Sequence, residues 1–267
     1  MLKGFCDGGV FAQVDGEGDL VVLLMHGWGR SSADYAEVRN LLSQSEAFSD
    51  LKIIAVDLPG FGSSPPPKSA FSTYDYGRYM TELLSEIKTS KVGGKGVVIV
   101  GHSFGGRVTL QMAAHDMVPG LGGIVLIGTP LIRKNAQSKV ATSIKVARKL
   151  RSLGILSEEK MEELRKKYGS EDYRNARGVM REILVKSVNE DYRSLLPKVD
   201  IDTTLLFGEL DQVTSITQAS VALTMMPKAT LVSLPGVGHM LPLQDPSSVS
   251  ESILNHVRNV LEQSLDH

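Results

Sequence analysis

The sequence predicts an α/β protein with a mostly parallel central sheet flanked by helices. Three observations in its 267 residues carry that reading. Short apolar runs recur, each ending at glycine or a turn. Segments of helical period alternate with them. One long stretch breaks the alternation and reads as an all-helical insertion after the sixth strand.

The runs are 20–25 (LVVLLM), 53–56, 97–100, 124–127, 204–207 and 231–234. They are rich in β-branched residues and nearly continuous, which predicts strands buried on both faces of a parallel sheet. Residues 2–14 predict a small antiparallel hairpin turning at Asp7-Gly8, at the sheet edge. Helices are expected over 34–42, 73–87, 105–115, 215–225 and 247–261. In the second of these, Tyr76, Tyr79, Met80, Leu83, Leu84 and Ile87 recur at three-to-four spacing. Asp245-Pro246-Ser247 suits the start of the last helix, because proline fits a first helical turn. Strand and helix in alternation predict a doubly wound sheet.

Between 133 and 193 there is no convincing strand. This stretch holds 16 Lys and Arg against 9 Asp and Glu, in a chain whose formal net charge is -1. The expected division is therefore a core of 1–132 and 196–267 with a helical cap of 133–195. Ile144, Ala147, Leu150, Leu153, Val179, Ile183 and Leu184 give that cap apolar faces, and its place between two strands predicts that it roofs the site and helps form the pocket.

Composition narrows the function classes. With 42% hydrophobic and 22% charged residues the chain reads as globular. The near-zero charge gives no field for nucleic acid, and the basic residues of the insertion alternate with acids without an aromatic stacking platform. Cys6 is the single cysteine, so an intramolecular disulfide and a cysteine-built metal site are excluded, and a reducing compartment fits. No apolar run has the length of a signal-peptide core or a membrane span. The expectation is a soluble cytoplasmic protein acting on a small molecule, with no metal or cofactor. Pro65-Pro66-Pro67 reads as a stiff local turn.

The strongest chemical motif is Gly101-His102-Ser103-Phe104-Gly105, a G-x-S-x-G pattern between a strand and a helix. Small residues on either side let a tight turn close and lift the serine hydroxyl clear of the sheet. A serine needs a base, and the base an orienting acid. His239, just past the last apolar run, falls at the carboxyl edge of the sheet where ligands bind. Its rivals are less well placed. His26 reads as a packed structural residue, His102 should diverge from Ser103, His115 and His256 sit in helices, and His267 is terminal. Asp211 follows the 204–207 run in Gly208-Glu209-Leu210-Asp211, with Glu209 as its competitor. Asp57 reads as a stabiliser of its own loop. His26-Gly27-Trp28-Gly29 follows the first core strand, and the Trp28 and Phe104 backbone N–H groups are the candidate oxyanion donors. Leu131, Val213 and Met240 are candidate pocket residues.

Taken together, His26-Gly27-Trp28-Gly29, Asp57-Leu58-Pro59-Gly60-Phe61-Gly62-Ser63-Ser64, Gly101-His102-Ser103-Phe104-Gly105-Gly106, Asp211 and Gly238-His239 resemble the α/β-hydrolase superfamily, and the resemblance spans nearly the whole chain. It implies the α/β-hydrolase fold and a Ser103, Asp211, His239 triad. The cap-bearing branch includes carboxylesterases, lipase-like enzymes, cofactor-free haloperoxidase-like proteins and hydrolases of carbon–carbon bonds in ring-cleavage products. Relatives with an aspartate nucleophile are excluded by serine at 103. Many relatives carry a proline soon after the acid, where this chain reads Gln212-Val213-Thr214-Ser215. The resemblance points first to ester hydrolysis. Carbon–carbon hydrolysis of a vinylogous diketone is the second reading, and a receptor-like ligand-binding protein on the same fold is a third, from another class.

Overall fold

The computed structural model describes residues 1–88, 96–133, 157, 159–160 and 171–265. Strands β1 (Leu2–Phe5) and β2 (Val10–Asp15) form the antiparallel hairpin. They are followed by β3 (Leu20–Met25), β4 (Leu51–Asp57), β5 (Gly96–His102), β6 (Leu121–Ile127), β7 (Thr203–Gly208) and β8 (Ala229–Leu234). These join one sheet in the order β1-β2-β4-β3-β5-β6-β7-β8. The pairs from β4 through β8 are parallel, and β2 meets β4 antiparallel. This is the α/β-hydrolase fold.

The sheet forms because its strands can bury both faces. On one face lie Leu20, Val22 and Leu24 of β3, Leu51, Ile53 and Ala55 of β4, Val98 and Val100 of β5, and Val125 and Ile127 of β6. The step of two is the strand period. Two helices close this face: α1 (Ala36–Ser43) through Val38 and Leu42, and the last helix, Pro246–Leu265, through Val249, Ile253, Val257 and Val260. Those residues recur at three-to-four spacing, as one helical face requires. Helices α2 (Thr73–Lys88) and α3 (Phe104–Ala114) pack on each other, and α3 lies against β3, β5 and β6. The last helix begins where Asp245-Pro246 suggested. The Asp245 carboxylate accepts the Ser248 backbone N–H (3.0 Å) and hydroxyl (2.7 Å), a side-chain cap.

The 231–234 run departs from expectation. It forms β8, but its residues are half-buried or exposed and Val232 is 38% exposed. Among the described residues β8 ends the sheet and pairs with β7 alone, so the β-branched composition that it shares with β3 and β5 does not reflect burial on two faces.

Two compact units divide the chain, 1–132 with 191–267, and Arg133–Glu190. Described residues of the second form α4 (Glu171–Asn175) and α5 (Gly178–Asn189), with Ile183 and Leu184 buried. Ile144, Ala147, Leu150 and Leu153 lie outside the described residues. Residues 191–195 group with the first unit, where Tyr192 is buried and its hydroxyl lies 3.2 Å from that of Thr73.

Candidate active site

The strand order places the site. Chain direction across the sheet reverses between β3 and β5, which are hydrogen-bonded neighbours with Met25 opposite Gly101. Such a switch point opens a crevice at the carboxyl edge. The loop after β3 and the turn after β5 therefore emerge side by side. A Cβ added at Gly27 would stand 3.5 Å from that of Ser103. β6 and β7 continue the row, with His102 opposite Ile127 and Ile127 opposite Leu206, and β7 ends with Gly208 opposite Leu234 of β8. The loops bearing Asp211 and His239 thus leave the same edge.

Ser103 joins β5 to α3 with φ 49° and ψ -102°, a left-handed conformation rarely adopted by serine. Its N–H donates to the Ile127 carbonyl (2.8 Å), which ties the turn to β6. A Cβ at Gly101 would collide with the Gly105 carbonyl, and one at Gly105 with the Met25 carbonyl. Both positions are therefore closed to any side chain, for the steric reason the motif implies. A residue held in this way stores strain of about 1–3 kcal/mol, which the surrounding structure must offset.

His239 Nδ1 lies 2.7 Å from Asp211 Oδ2. The Asp211 carboxylate is fully used: Oδ1 accepts the Val213 and Thr214 N–H groups (2.7 and 2.8 Å), and Oδ2 accepts the Thr214 hydroxyl (2.5 Å) as well as His239. Burial pushes this carboxyl up, but the hydrogen bonds from His239 and Thr214 outweigh it and hold it at about 2. An ionised acceptor at Oδ2 fixes the His239 proton on Nδ1 and leaves Nε2 as the basic nitrogen. Glu209, the rival acid, turns away: its Oε1 accepts the Ser233 hydroxyl (2.7 Å) on β8.

The remaining histidines have structural partners. His26 is fully buried, with Nδ1 2.7 Å from the Gly27 carbonyl and Nε2 accepting the Leu58 N–H (3.0 Å). That pairing requires the neutral ring, and burial lowers its pKa. His115 Nδ1 meets the Gln111 carbonyl, and His256 Nε2 the Thr204 hydroxyl. His267 lies outside the described residues.

Trp28 packs edge-to-face on Phe61 (4.9 Å between centroids) and Phe104 (5.3 Å). Gly105 N–H is spent on the His26 carbonyl (3.1 Å), while Phe104 is the first residue of α3, whose N–H has no acceptor within the helix. Leu131 is buried at 2% exposure, Met240 is half-buried, and Val213 is 54% exposed. Val213 reaches Asp211 through its backbone.

Asp57 ties this edge together. Its carboxylate accepts N–H from Ser32 (2.7 Å) after β3 and from Ser63 (2.8 Å) in its own loop, and its carbonyl accepts the Ser64 hydroxyl (2.5 Å). Asp57→Ala removes the acceptor of the buried Ser32 N–H and of the Ser63 N–H, while the Ser64 hydroxyl keeps the backbone carbonyl. We expect a loss of about 2–4 kcal/mol in urea unfolding. A loss below about 0.5 kcal/mol would show that the loop is held otherwise.

Two residues escaped the sequence reading. Thr214 clamps Asp211, and a readable signal existed: aspartate commonly accepts N–H groups two and three residues on. His102 contacts the His239 backbone, and no local pattern announces a contact across 137 residues. Among the described residues, no cluster of three or more His, Cys, Asp or Glu is arranged for a metal ion, and no helix is long and apolar enough to cross a membrane.

Comparison with known proteins agrees with this fold. A 92-residue stretch is 37% identical to an uncharacterized protein of Mycobacterium tuberculosis, spanning 34% of this chain but only 24% of that protein. Over almost full length the chain is 24% identical to the 2-hydroxy-6-oxononadienedioate/2-hydroxy-6-oxononatrienedioate hydrolase of a Pseudomonas species, covering 96% of this chain and 94% of that one. Among solved structures, an esterase from Exiguobacterium antarcticum superposes with a TM-score of 0.70 at 19% identity, covering 96% of this chain and 98% of that one. The model of the alpha/beta hydrolase family matches residues 21–251, and the chain belongs to that family.

Proposed function

We propose that this hydrolase cleaves carboxylic esters of small to medium size, with Ser103 as nucleophile, His239 as base and Asp211 as the orienting acid. The observation that carries the reading is the 2.7 Å bond from His239 Nδ1 to a fully hydrogen-bonded Asp211 carboxylate, at the sheet edge where Ser103 sits on its strained turn. Ser103 Oγ attacks the acyl carbon as His239 Nε2 takes its proton. The tetrahedral oxyanion is met by the Trp28 and Phe104 N–H groups. Collapse of the intermediate breaks the ester C–O bond, and His239 returns the proton to the leaving alcohol. Water then enters and attacks the acyl carbon as it gives its proton to His239; collapse breaks the bond from the acyl carbon to Ser103 Oγ, releases the acid, and returns that proton from His239 to Oγ. Every proton is carried by the side chains named, so the chemistry asks for no cofactor.

A second reading, hydrolysis of a carbon–carbon bond in a vinylogous diketone, is favoured by the full-length likeness to the Pseudomonas hydrolase. We further propose that the inserted unit 133–190 selects the substrate. A panel of p-nitrophenyl esters of increasing acyl length, run beside ring-cleavage diketones, separates the two chemistries. Turnover of short esters with none of the diketones supports the first reading, and the opposite pattern replaces it. The same panel, repeated with 133–190 replaced by a short Gly/Ser bridge, should show an altered acyl preference. An unchanged profile in a folded variant removes the selecting role.

A further inference from the structure

We propose that His102, the residue before Ser103, is a positioning residue that holds the backbone of His239 in place. The inference rests on the assignment of His239 as the base. His102 is buried at 1% exposure, and its Nε2 lies 2.8 Å from the backbone carbonyl oxygen of His239. A carbonyl only accepts, so Nε2 carries the proton and donates it. The other ring nitrogen, Nδ1, is buried with no hydrogen-bond partner among the described residues. It faces Gly27, where an added Cβ would stand 3.0 Å away. Protonating Nδ1 would bury a cation with an unpaired N–H. Burial, and then the neighbouring His239, accordingly push the ring's pKa down to about 4. His102 therefore remains a neutral donor while His239 cycles its proton, and it adds no second positive charge beside the imidazolium.

The loop carrying His239 needs such an anchor. It runs through Gly236-Val237-Gly238, with Gly236 at φ 73°. It is also tied by the Leu210 N–H to the Val237 carbonyl (2.9 Å) and the Gly238 N–H to Gln244 Oε1 (2.9 Å). Asp211 fixes the His239 ring, but a ring fixed on a wandering backbone still misses its target. The His102 bond spans 137 residues and fastens that backbone to the end of β5. Consecutive residues then do two jobs: Ser103 presents the nucleophile, and His102 sets how far the base stands from it. The two rings also pack together, with centroids 4.9 Å apart and planes at 46°.

The test compares His102→Leu, His102→Gln and His102→Asn in kcat, KM and fluorophosphonate labelling rate, with folding checked by thermal melting. The Gln amide nitrogen can occupy the place of Nε2, while Asn falls about one bond short. Displacing a catalytic group by about 1 Å costs on the order of 10²-fold. We expect His102→Leu and His102→Asn to lower kcat and the labelling rate by about 10–100-fold with KM within about two-fold, and His102→Gln to stay within about five-fold of the parent. A folded Leu variant with kcat within about two-fold of the parent overturns the proposal, as do Gln and Asn variants impaired alike, which would mark a packing role only. Should the Leu variant not fold, the Gln–Asn contrast decides. His239→Ala is run alongside: if it retains turnover, the assignment of the base fails, whatever the His102 variants do.

Discussion

Ser103→Ala is expected to lower kcat toward short-chain p-nitrophenyl esters by about 10⁵–10⁶-fold, with the protein still folded. The size follows from chemistry. Without Oγ no acyl-enzyme forms, and only the oxyanion donors and the binding surface remain, which together give a small residual rate over water. Folding should survive. The substitution removes one oxygen from a half-buried side chain and keeps the backbone bond from residue 103 to Ile127. The left-handed φ is equally unusual for alanine and serine, so strain changes little. Melting within about 3 °C of the parent, together with lost turnover, is the expected pair of results. Turnover within ten-fold of the parent would mean that another group attacks the substrate.

Asp211→Asn is expected to cost about 10⁴-fold in kcat, against less than about three-fold for Glu209→Gln. An amide in place of the carboxylate can present N–H to His239 Nδ1. The imidazole then takes the other tautomer, with its proton on Nε2, and cannot accept one from Ser103. Glu209 is engaged with Ser233 and touches none of this. Reversed costs would transfer the acid role to Glu209. A pH signature accompanies the rate effect. The folded-state pKa of about 2 lies below the ordinary 3.8, so the carboxylate stabilises the fold above pH 3.8 and loses that contribution as pH falls through about 2. The stability gap between parent and Asp211→Asn should therefore be widest near neutrality and narrow across that window. Urea unfolding at pH 7 and at acid pH measures it, and a gap that widens in acid contradicts the hydrogen-bond account.

The sequence made the fold legible because each strand end is punctuated. The 20–25 run stops at His26-Gly27 and the 97–100 run at Gly101, where an added Cβ would collide with the Gly105 backbone, and one at Gly27 would crowd the His102 ring. The placement of Ser103, Asp211 and His239 at the carboxyl edge was readable for the same reason, since each falls within a few residues of a strand end. Partners distant in the chain were not. His102 sits in the motif, but its bond to the His239 carbonyl depends on how two loops cross. β8 was readable as a strand but not as an edge, because composition reports β-propensity and burial follows from the neighbour that is missing. Val213 shows a similar gap: it neighbours Asp211 in sequence, yet its side chain points out and its contribution is a backbone N–H.

The proposed mechanism requires the acyl group to pass through Ser103 Oγ. Its most direct test is to quench the enzyme during turnover of a slow ester, digest it, and locate the added acyl mass by tandem mass spectrometry. The mechanism predicts one acyl group per chain, on the Ser103 hydroxyl within Gly101-His102-Ser103-Phe104-Gly105. Acyl mass on any other residue, or steady turnover with no acylated peptide under conditions that trap a control esterase, would contradict it.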